Sequence, residues 1–453
     1  MSGDAGAEAI ERALEQTLRA GADAADALLV ESDSLEARVR GEEIDFVKQA
    51  RGHTLGIRAL VRGESGLRSA LTSTSDLRGD VVDRMAQETV QLARATEEDP
   101  FAGLPEEDYA RDDVDLALFD PADRDVSVET RIAAARAAET AARATDPRIE
   151  NSEGSQVSSG FSQVWLGDSR GFRGSYRSAT HSLFSEPIAR ENGSMQRDYW
   201  MTTSRSLAGT DAPADVGRKA ARRALRRLGG RRVATCQAPV IFDPVTAPSL
   251  LGHLAGCANG YSVYRQTSFL ADRMGEQIAS EALTVVDDGR KPGGLGSRPF
   301  DGEGQPTRRT TLIEGGRLAS WLLDSYSARK LGSATTGNAA RSAGGAPSAA
   351  PSNLWVEPGE RSLEEIIAST ERGLLVTELI GHGFQPVTGD YSRGAVGLWI
   401  EGGEIAYPVE EITIAGNLGQ MLLDIDAVGS DLLWLGRLAA PSLRVAQMTI
   451  AGE

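Results

Sequence analysis

The chain has 453 residues, 40% of them hydrophobic, enough apolar material for a large core in two or three domains of about 100–200 residues each. Its 65 acidic against 48 basic side chains, net charge −17, argue against broad nucleic-acid affinity, which needs Lys and Arg to displace counterions from phosphates. Two cysteines, Cys236 and Cys257, are too few for a disulfide framework, no run approaches the roughly 20 apolar residues of a membrane span, and the opening MSGDAGAEAIERALEQ is acidic where a secretory leader is basic, so a cytoplasmic location is expected.

Residues 6–20 read as an amphipathic helix, with Ile10, Ala13, Leu14, Thr17 and Leu18 near one face. Leu35, Ala37 and Val39 then alternate with polar residues, as do Leu55, Ile57, Ala59 and Val61, and RGESG at 62–66 turns the chain into Leu67 to Leu71. Period two over these runs predicts an antiparallel sheet with one buried face. Helices are predicted over about 76–95 and 126–145, the second ended by Asp146-Pro147, on either side of an acidic surface connection, EEDPFAGLPEEDYARDDVD. Gly154, Gly160, Gly167, Gly171 and Gly174 punctuate 155–206 into short strands.

A basic helix over about 213–228 closes the N-terminal domain, residues 1–230, at Gly229-Gly230. Ala220, Ala221, Ala224, Leu225 and Leu228 form its apolar side, which leaves Arg218, Lys219, Arg222, Arg223, Arg226 and Arg227 for a solvated face. A scaffold or nucleic-acid-binding role would start at this helix, but it lacks the aromatics that grip single strands. Residues 231–453 read as a β-rich C-terminal domain. LIEGGRL at 312–318 and WIEGGEI at 399–405 have the form of Gly-Gly hairpins, and 333–353 has the composition of a long mobile loop. Ser362 with Glu365 makes a capping box for a helix to about Arg372, followed by a strand in LLVTELIG. The fold class is therefore α+β in two domains.

LLGHLAGCANG, residues 250–260, places His253 and Cys257 four positions apart, on one face of a short helix. Three readings compete: two metal ligands with Cys236 as a third, the base and nucleophile of an autonomous thiol hydrolase, or a core thiol on a helix among Leu254, Ala255 and Ala258. None of His53, His181, His253 and His382 is followed by Glu, so the His-Glu pair of a zinc peptidase is missing. GGLGS at 293–297 runs into Arg-Pro and lacks the Lys-Ser/Thr anchor of a phosphate loop. Asp287-Asp288, Asp301 and Glu303 lie in turn-like settings and read as solvated.

YSVYRQTSFLADRMGEQIASEALTVVDDG, FDGEG, SYSARKLGSATTGNA, GDYSRG and the ending MTIAGE, in this order, resemble the TldD/PmbA family, specifically its PmbA (TldE) branch, and the N-terminal helix and meander fit it too. The resemblance implies a two-domain α+β subunit that pairs with a TldD-type chain in a cytoplasmic, heterodimeric metallopeptidase (peptidase U62 type). In the TldD branch a His-Glu-x-x-x-His helix and a later cysteine bind zinc. Aligning the preceding leucines with Leu250-Leu251 puts Gly252 at the first ligand, His253 at the glutamate and Cys257 at the second ligand. No cysteine follows Cys257, and the corresponding segment near the C-terminus reads WLGRLAAPSLRV.

The resemblance thus implies a pseudo-enzyme subunit with no metal, cofactor or catalytic residue of its own. Zinc is expected on the TldD-type partner, and the substrate is an unfolded peptide that pairs edge to edge with a strand. Gly389, Asp390, Tyr391, Ser392 and Arg393 are expected to line the cavity facing partner and substrate, with Asp301 and Glu303 nearby. Family members also carry the label modulator of DNA gyrase, but no residue here points to gyrase or DNA.

Overall fold

The computed structural model describes residues 3–106, 109–111 and 114–452. In the N-terminal half, α1 (Gly3–Arg19) leads into β1 (Ala24–Arg40), β2 (Glu43–Arg62) and β3 (Leu67–Thr74), with α2 (Gly79–Arg94) packed back on them. Next come α3 (Val128–Arg143), β4 (Ile149–Asp168), β5 (Arg173–Glu191), β6 (Ser194–Arg197), β7 (Trp200–Ser204) and α4 (Pro213–Leu225). The strands form one antiparallel sheet in the order β3-β2-β1-β4-β5-β6, with β7 also on β5.

Strand alternation decides what this sheet buries. Ala25, Ala27 and Leu29 pack with Leu55, Ile57 and Trp165 beneath α1 and α2. Ala37 and Val39, on the same face further along β1, pack with Val157 and Leu183 beneath α3 and α4. The last two helices touch so closely that a Cβ at Gly217 would lie 2.0 Å from the Ala138 carbonyl oxygen, so only glycine fits there.

In the C-terminal half the order is β8 (Cys236–Phe242), α5 (Pro248–Cys257), α6 (Gly260–Tyr264), β9 (Val285–Asp288), β10 (Arg309–Glu314), β11 (Arg317–Leu318), α7 (Ser325–Lys330), β12 (Ala339–Ala340), β13 (Ser348–Ala349) and β14 (Leu354–Val356). It continues with α8 (Leu363–Ala368), β15 (Arg372–Ile380), β16 (Asp390–Glu401), β17 (Glu404–Asn417), α9 (Leu418–Leu423), β18 (Ile425–Val428), β19 (Leu433–Trp434), β20 (Leu438–Ala440) and β21 (Leu443–Ala451). β17, β16, β15, β8 and β21 pair in that order, and β21 pairs again with β17, which closes a five-stranded ring carrying β18 on its outside. A second sheet, β11-β10-β9-β14-β20-β19, stands beside the ring, and α5 packs against its β14 and β20. Leu250, Leu254, Phe242 and Trp399 belong to the one core shared by these layers.

The architecture is α+β, as the sequence predicts. Both Gly-Gly hairpins form: Gly315-Gly316 joins β10 to β11 and Gly402-Gly403 joins β16 to β17, all four glycines at positive φ as the mirror-image turn requires.

Several expectations need correction. Residues 155–206 are not short strands, because β4 and β5 run 20 and 19 residues. Pairing on both sides carries β4 through its glycines, and only Gly154 marks a register shift. Segment 333–353 is no free loop. It holds the β12–β13 hairpin, and buried Asp287 accepts hydrogen bonds from Asn338 Nδ2 at 2.7 Å and Ser352 N at 2.8 Å. The capped helix at 362 stops at Ala368, where the Ser369 and Thr370 hydroxyls both donate to the Ile366 carbonyl, and Arg372 opens β15 instead.

The basic helix does not present all its arginines to solvent. Arg223 is buried and pairs with Asp198 (3.2 Å) and Asp243 (3.4 Å), and Arg227, also buried, pairs with Glu378 (2.6 Å). Two of these carboxylates come from the C-terminal half, so α4 is a clamp between halves. In the acidic connection, residues 107–108 and 112–113 lie outside the described residues. Of the remainder, Tyr109 donates to Asp168 and Ala110 N to the Gly304 carbonyl, so this stretch also ties the halves together.

Candidate functional site

Pro248 sits in the first turn of α5, where its missing N–H is no loss, and Leu250, Leu251, Leu254, Ala255 and Cys257 bury the helix on one side. Gly252 and Gly256 share another side. A Cβ at Gly252 would meet only Leu438, at 3.7 Å, and one at Gly256 would meet nothing within 4 Å. There is room for a larger side chain at position 252, and glycine supplies none.

The His253 ring lies tilted over Phe384 at 4.4 Å and edge-on to Tyr391 at 6.0 Å. Its Nε2 is buried without a hydrogen-bond partner. Burial, then the positive charge of Arg393, lowers its pKa, so the neutral ring is favoured. The Cys257 thiol is buried, donates weakly to the Pro386 carbonyl at 3.9 Å, and has its pKa pushed up by desolvation to about 11. A thiol in this state is the reverse of an activated nucleophile or a ready metal ligand, both of which are thiolates. The imidazole stacks on a phenyl ring, where a dyad would have it bonded to sulfur.

Tyr391 and Arg393 stand on one side of β16 and approach His253, with Tyr391 fully buried and its phenol raised to about 12, chiefly by burial. Asp390 and Ser392 point to the exposed side, where Asp390 accepts from Thr388 Oγ1 at 2.6 Å. Gly389, at φ +83°, turns the chain into the strand. Gly383 lets the preceding loop fold back, since its backbone runs so close to β16 that a Cβ would fall 1.6 Å from the Ser392 carbonyl oxygen, and Ser392 N donates to the Gly383 carbonyl at 2.7 Å.

Asp301 and Glu303 are buried, contrary to the solvated reading. Asp301 accepts from Glu303 N, Gln305 N and Ala339 N at 2.9, 3.0 and 3.1 Å, which makes it the staple of its own turn. Glu303 accepts from Ser325 N at 2.9 Å, and burial together with the nearby Asp324 raises its pKa. The structure thus brings His253, Tyr391 and Arg393 together. Among the described residues no hydrogen bond or ring contact joins the Asp301-Glu303 turn to them. Phe384 and Pro386, which pack on His253 and Cys257, escaped sequence reasoning because the fold-back before β16 delivers them and no spacing announces it.

Three family models match in succession: PmbA/TldA metallopeptidase domain 1 over residues 25–93, the central domain over 121–228 and the C-terminal domain over 235–452. Metalloprotease PmbA of Escherichia coli O157:H7 is 40% identical across 98% of this chain and 96% of its own length. The chain belongs to the PmbA/TldD metallopeptidase family. A PmbA homolog from Haemophilus influenzae is 35% identical over 98% of this chain and 96% of its own. A candidate modulator of DNA gyrase from Bacteroides thetaiotaomicron superposes with a TM-score of 0.91 at 28% identity, covering 100% of both chains. TldE from Thermococcus kodakarensis shares the fold at a TM-score of 0.87 and 24% identity, covering 98% of this chain and 100% of its own.

The family name implies a metal, and the donors on this PmbA/TldD chain do not fit one. Zinc needs three convergent ligands from His, Cys, Asp or Glu. Position 252 has no side chain, the His253 ring is packed against Phe384, and the Cys257 thiol is held protonated. Among the described residues no group of three or more such side chains is arranged to hold a metal ion. No helix of the described structure is long and apolar enough to cross a membrane.

Proposed function

We propose that this chain is the non-catalytic, TldE-type subunit of a heteromeric metallopeptidase. Its TldD-type partner holds the zinc and cleaves unfolded peptides or small proteins, and this chain completes the chamber in which they are bound. The observation that carries the reading is chemical: on α5 the three positions that would coordinate metal and activate water are a glycine, a stacked neutral imidazole and a buried protonated thiol. Membership in a metallopeptidase family together with the poor fit of the α5 donors to a metal supports the reading that hydrolysis belongs to another chain. We place the complex in the reducing cytoplasm, where the free thiols of Cys236 and Cys257 stay reduced. Tyr391 and Arg393 are proposed to shape the cavity wall beside α5.

The test is zinc content and peptidase rate for this chain purified alone and co-purified with a TldD-type chain. The lone chain is expected to hold less than a tenth of an equivalent of zinc and to cleave nothing. The pair is expected to hold about one zinc and to cleave an unfolded peptide in a chelator-sensitive way. Cleavage by the lone chain, or a pair whose zinc is lost on mutating His253 or Cys257, would overturn it.

A further inference from the structure

The long N-terminal sheet is covered at both ends of its helix-facing side and bare in the middle. Along β1, residues 25, 27 and 29 lie under α1 and α2, residues 37 and 39 lie under α3 and α4, and Glu31 and Asp33 fall in between, on the same face. Register extends this gap across four strands. His53, Glu31, Gln163 and Arg177 stand side by side on β2, β1, β4 and β5, and Arg51, Asp33 and Phe161 form the next row. Ser75, Phe119 and Arg124 wall the gap, which encloses about 600 Å³, within the roughly 300–1,000 Å³ of small-ligand pockets.

The trough has a rigid back. Phe161 meets the His181 ring edge-on at 5.5 Å, and buried His181 is hydrogen-bonded through Nδ1 to Ser159 Oγ at 2.9 Å, with Asp123 lying 3.3 Å from its Nε2. Its charges do not balance. Arg51 and Arg124 share one carboxylate, Asp33, at 2.8 and 4.0 Å, while the exposed Arg177 lies over the Phe119 ring at 5.8 Å and is paired with no carboxylate among the described residues. Three guanidinium groups face two carboxylates here, on a chain whose net charge is −17. The lining therefore offers an unmatched guanidinium in Arg177, two aromatic rings and acceptors in Asp33 and Gln163.

We propose that this trough binds the C-terminal end of a short peptide. Arg177 and Arg124 take the free carboxylate, where guanidinium geometry matches a carboxylate with two parallel hydrogen bonds. The acceptors meet amide N–H groups, and the last side chain lies against Phe119 or Phe161. The choice of a peptide rests on the peptidase-subunit reading, whereas the carboxylate site rests on the trough alone.

The experiment uses the full chain by itself, so it is independent of the cleavage assay. A dye-labelled hexapeptide ending in Phe is titrated as the free acid and as the C-terminal amide, with inorganic phosphate as competitor. The expected result is at least tenfold tighter binding of the acid. That preference should vanish in Arg177→Gln and in Arg124→Gln, both exposed positions whose variants should melt at the wild-type temperature. Equal affinity for acid and amide, no binding of either at millimolar peptide, displacement by phosphate as strong as by the peptide acid, or an unchanged preference in both variants would each overturn the proposal.

Discussion

Single side chains on α5 and β9 are held in protonation states that their burial sets. Cys257 is the sharpest case. With its pKa near 11, roughly one thiol in a thousand is ionised at pH 8, and the residue is fully buried. Native protein treated with iodoacetamide at pH 8 should therefore label at Cys257 at least a hundredfold more slowly than the urea-unfolded chain, as read by mass spectrometry. Cys257→Ala should leave the rate of the two-chain peptidase within twofold, whereas an autonomous thiol hydrolase would lose all activity. Asp287 makes a different prediction. Burial raises its carboxyl from 3.8 to about 7, so between these values the folded state keeps a proton that the unfolded state releases. Its contribution to stability falls as pH rises from about 4 to about 7 and is level above that. Asp287→Asn retains an acceptor for Asn338 or Ser352 and removes this dependence, so the variant should gain on wild type by several degrees in melting temperature at pH 8 compared with pH 4. A constant difference across that range would show that Asp287 is already ionised in the fold.

Among the elements, α4 shows how far local pattern reaches. Its apolar face was legible from Ala220, Ala221 and Ala224, which are all buried as expected. Not every arginine of this helix faces solvent, because Asp198, Asp243 and Glu378 arrive from three other segments and turn Arg223 and Arg227 inward. The same limit explains β4 and β5, whose glycines look like breaks until the partners on both sides are known. It also explains 333–353, whose small residues look mobile until the buried Asp287 and Asp301 capture their amides. Hairpins, caps and the α5 motif were readable because their determinants lie within a few residues of each other. The burial of Asp301 and Glu303, and the Phe384 lid on His253, were not. The buried pairing on α4 makes a strong demand: Arg223→Ala removes the buried guanidinium that Asp198 and Asp243 share and should destabilise the protein by about 3–5 kcal/mol in urea unfolding. Arg222→Ala, one position along on the exposed side of the same helix, should change it by less than about 0.5 kcal/mol.

At the scale of the whole molecule, the two halves share buried charge as well as surface. Asp26 on β1 accepts from Arg58 of the same sheet at 2.6 Å and from Arg341 of the β12–β13 segment at 2.6 Å, with the Asp26 and Arg341 side chains buried and Arg58 nearly so. Arg205 donates to the carbonyls of Gly294 and Leu295, at 3.2 and 2.5 Å, and Arg329 to that of Phe101 at 2.8 Å. β2 approaches the same segment so closely that a Cβ at Gly56 would stand 1.6 Å from the Ala343 carbonyl oxygen. A half released from the other would leave Asp26 and Arg341 with a lost ion pair in a partly apolar surface, so separate folding of the halves is disfavoured. Calorimetry of the intact chain is expected to show one transition, and Arg341→Ala is expected to shift it down while keeping it single, with a loss of about 3–5 kcal/mol because Asp26 loses one of its two partners in the interior. If instead the variant resolved into two transitions, with the first destroying only the N-terminal sheet, the halves would be autonomous and the Asp26–Arg341 contact a latch between them.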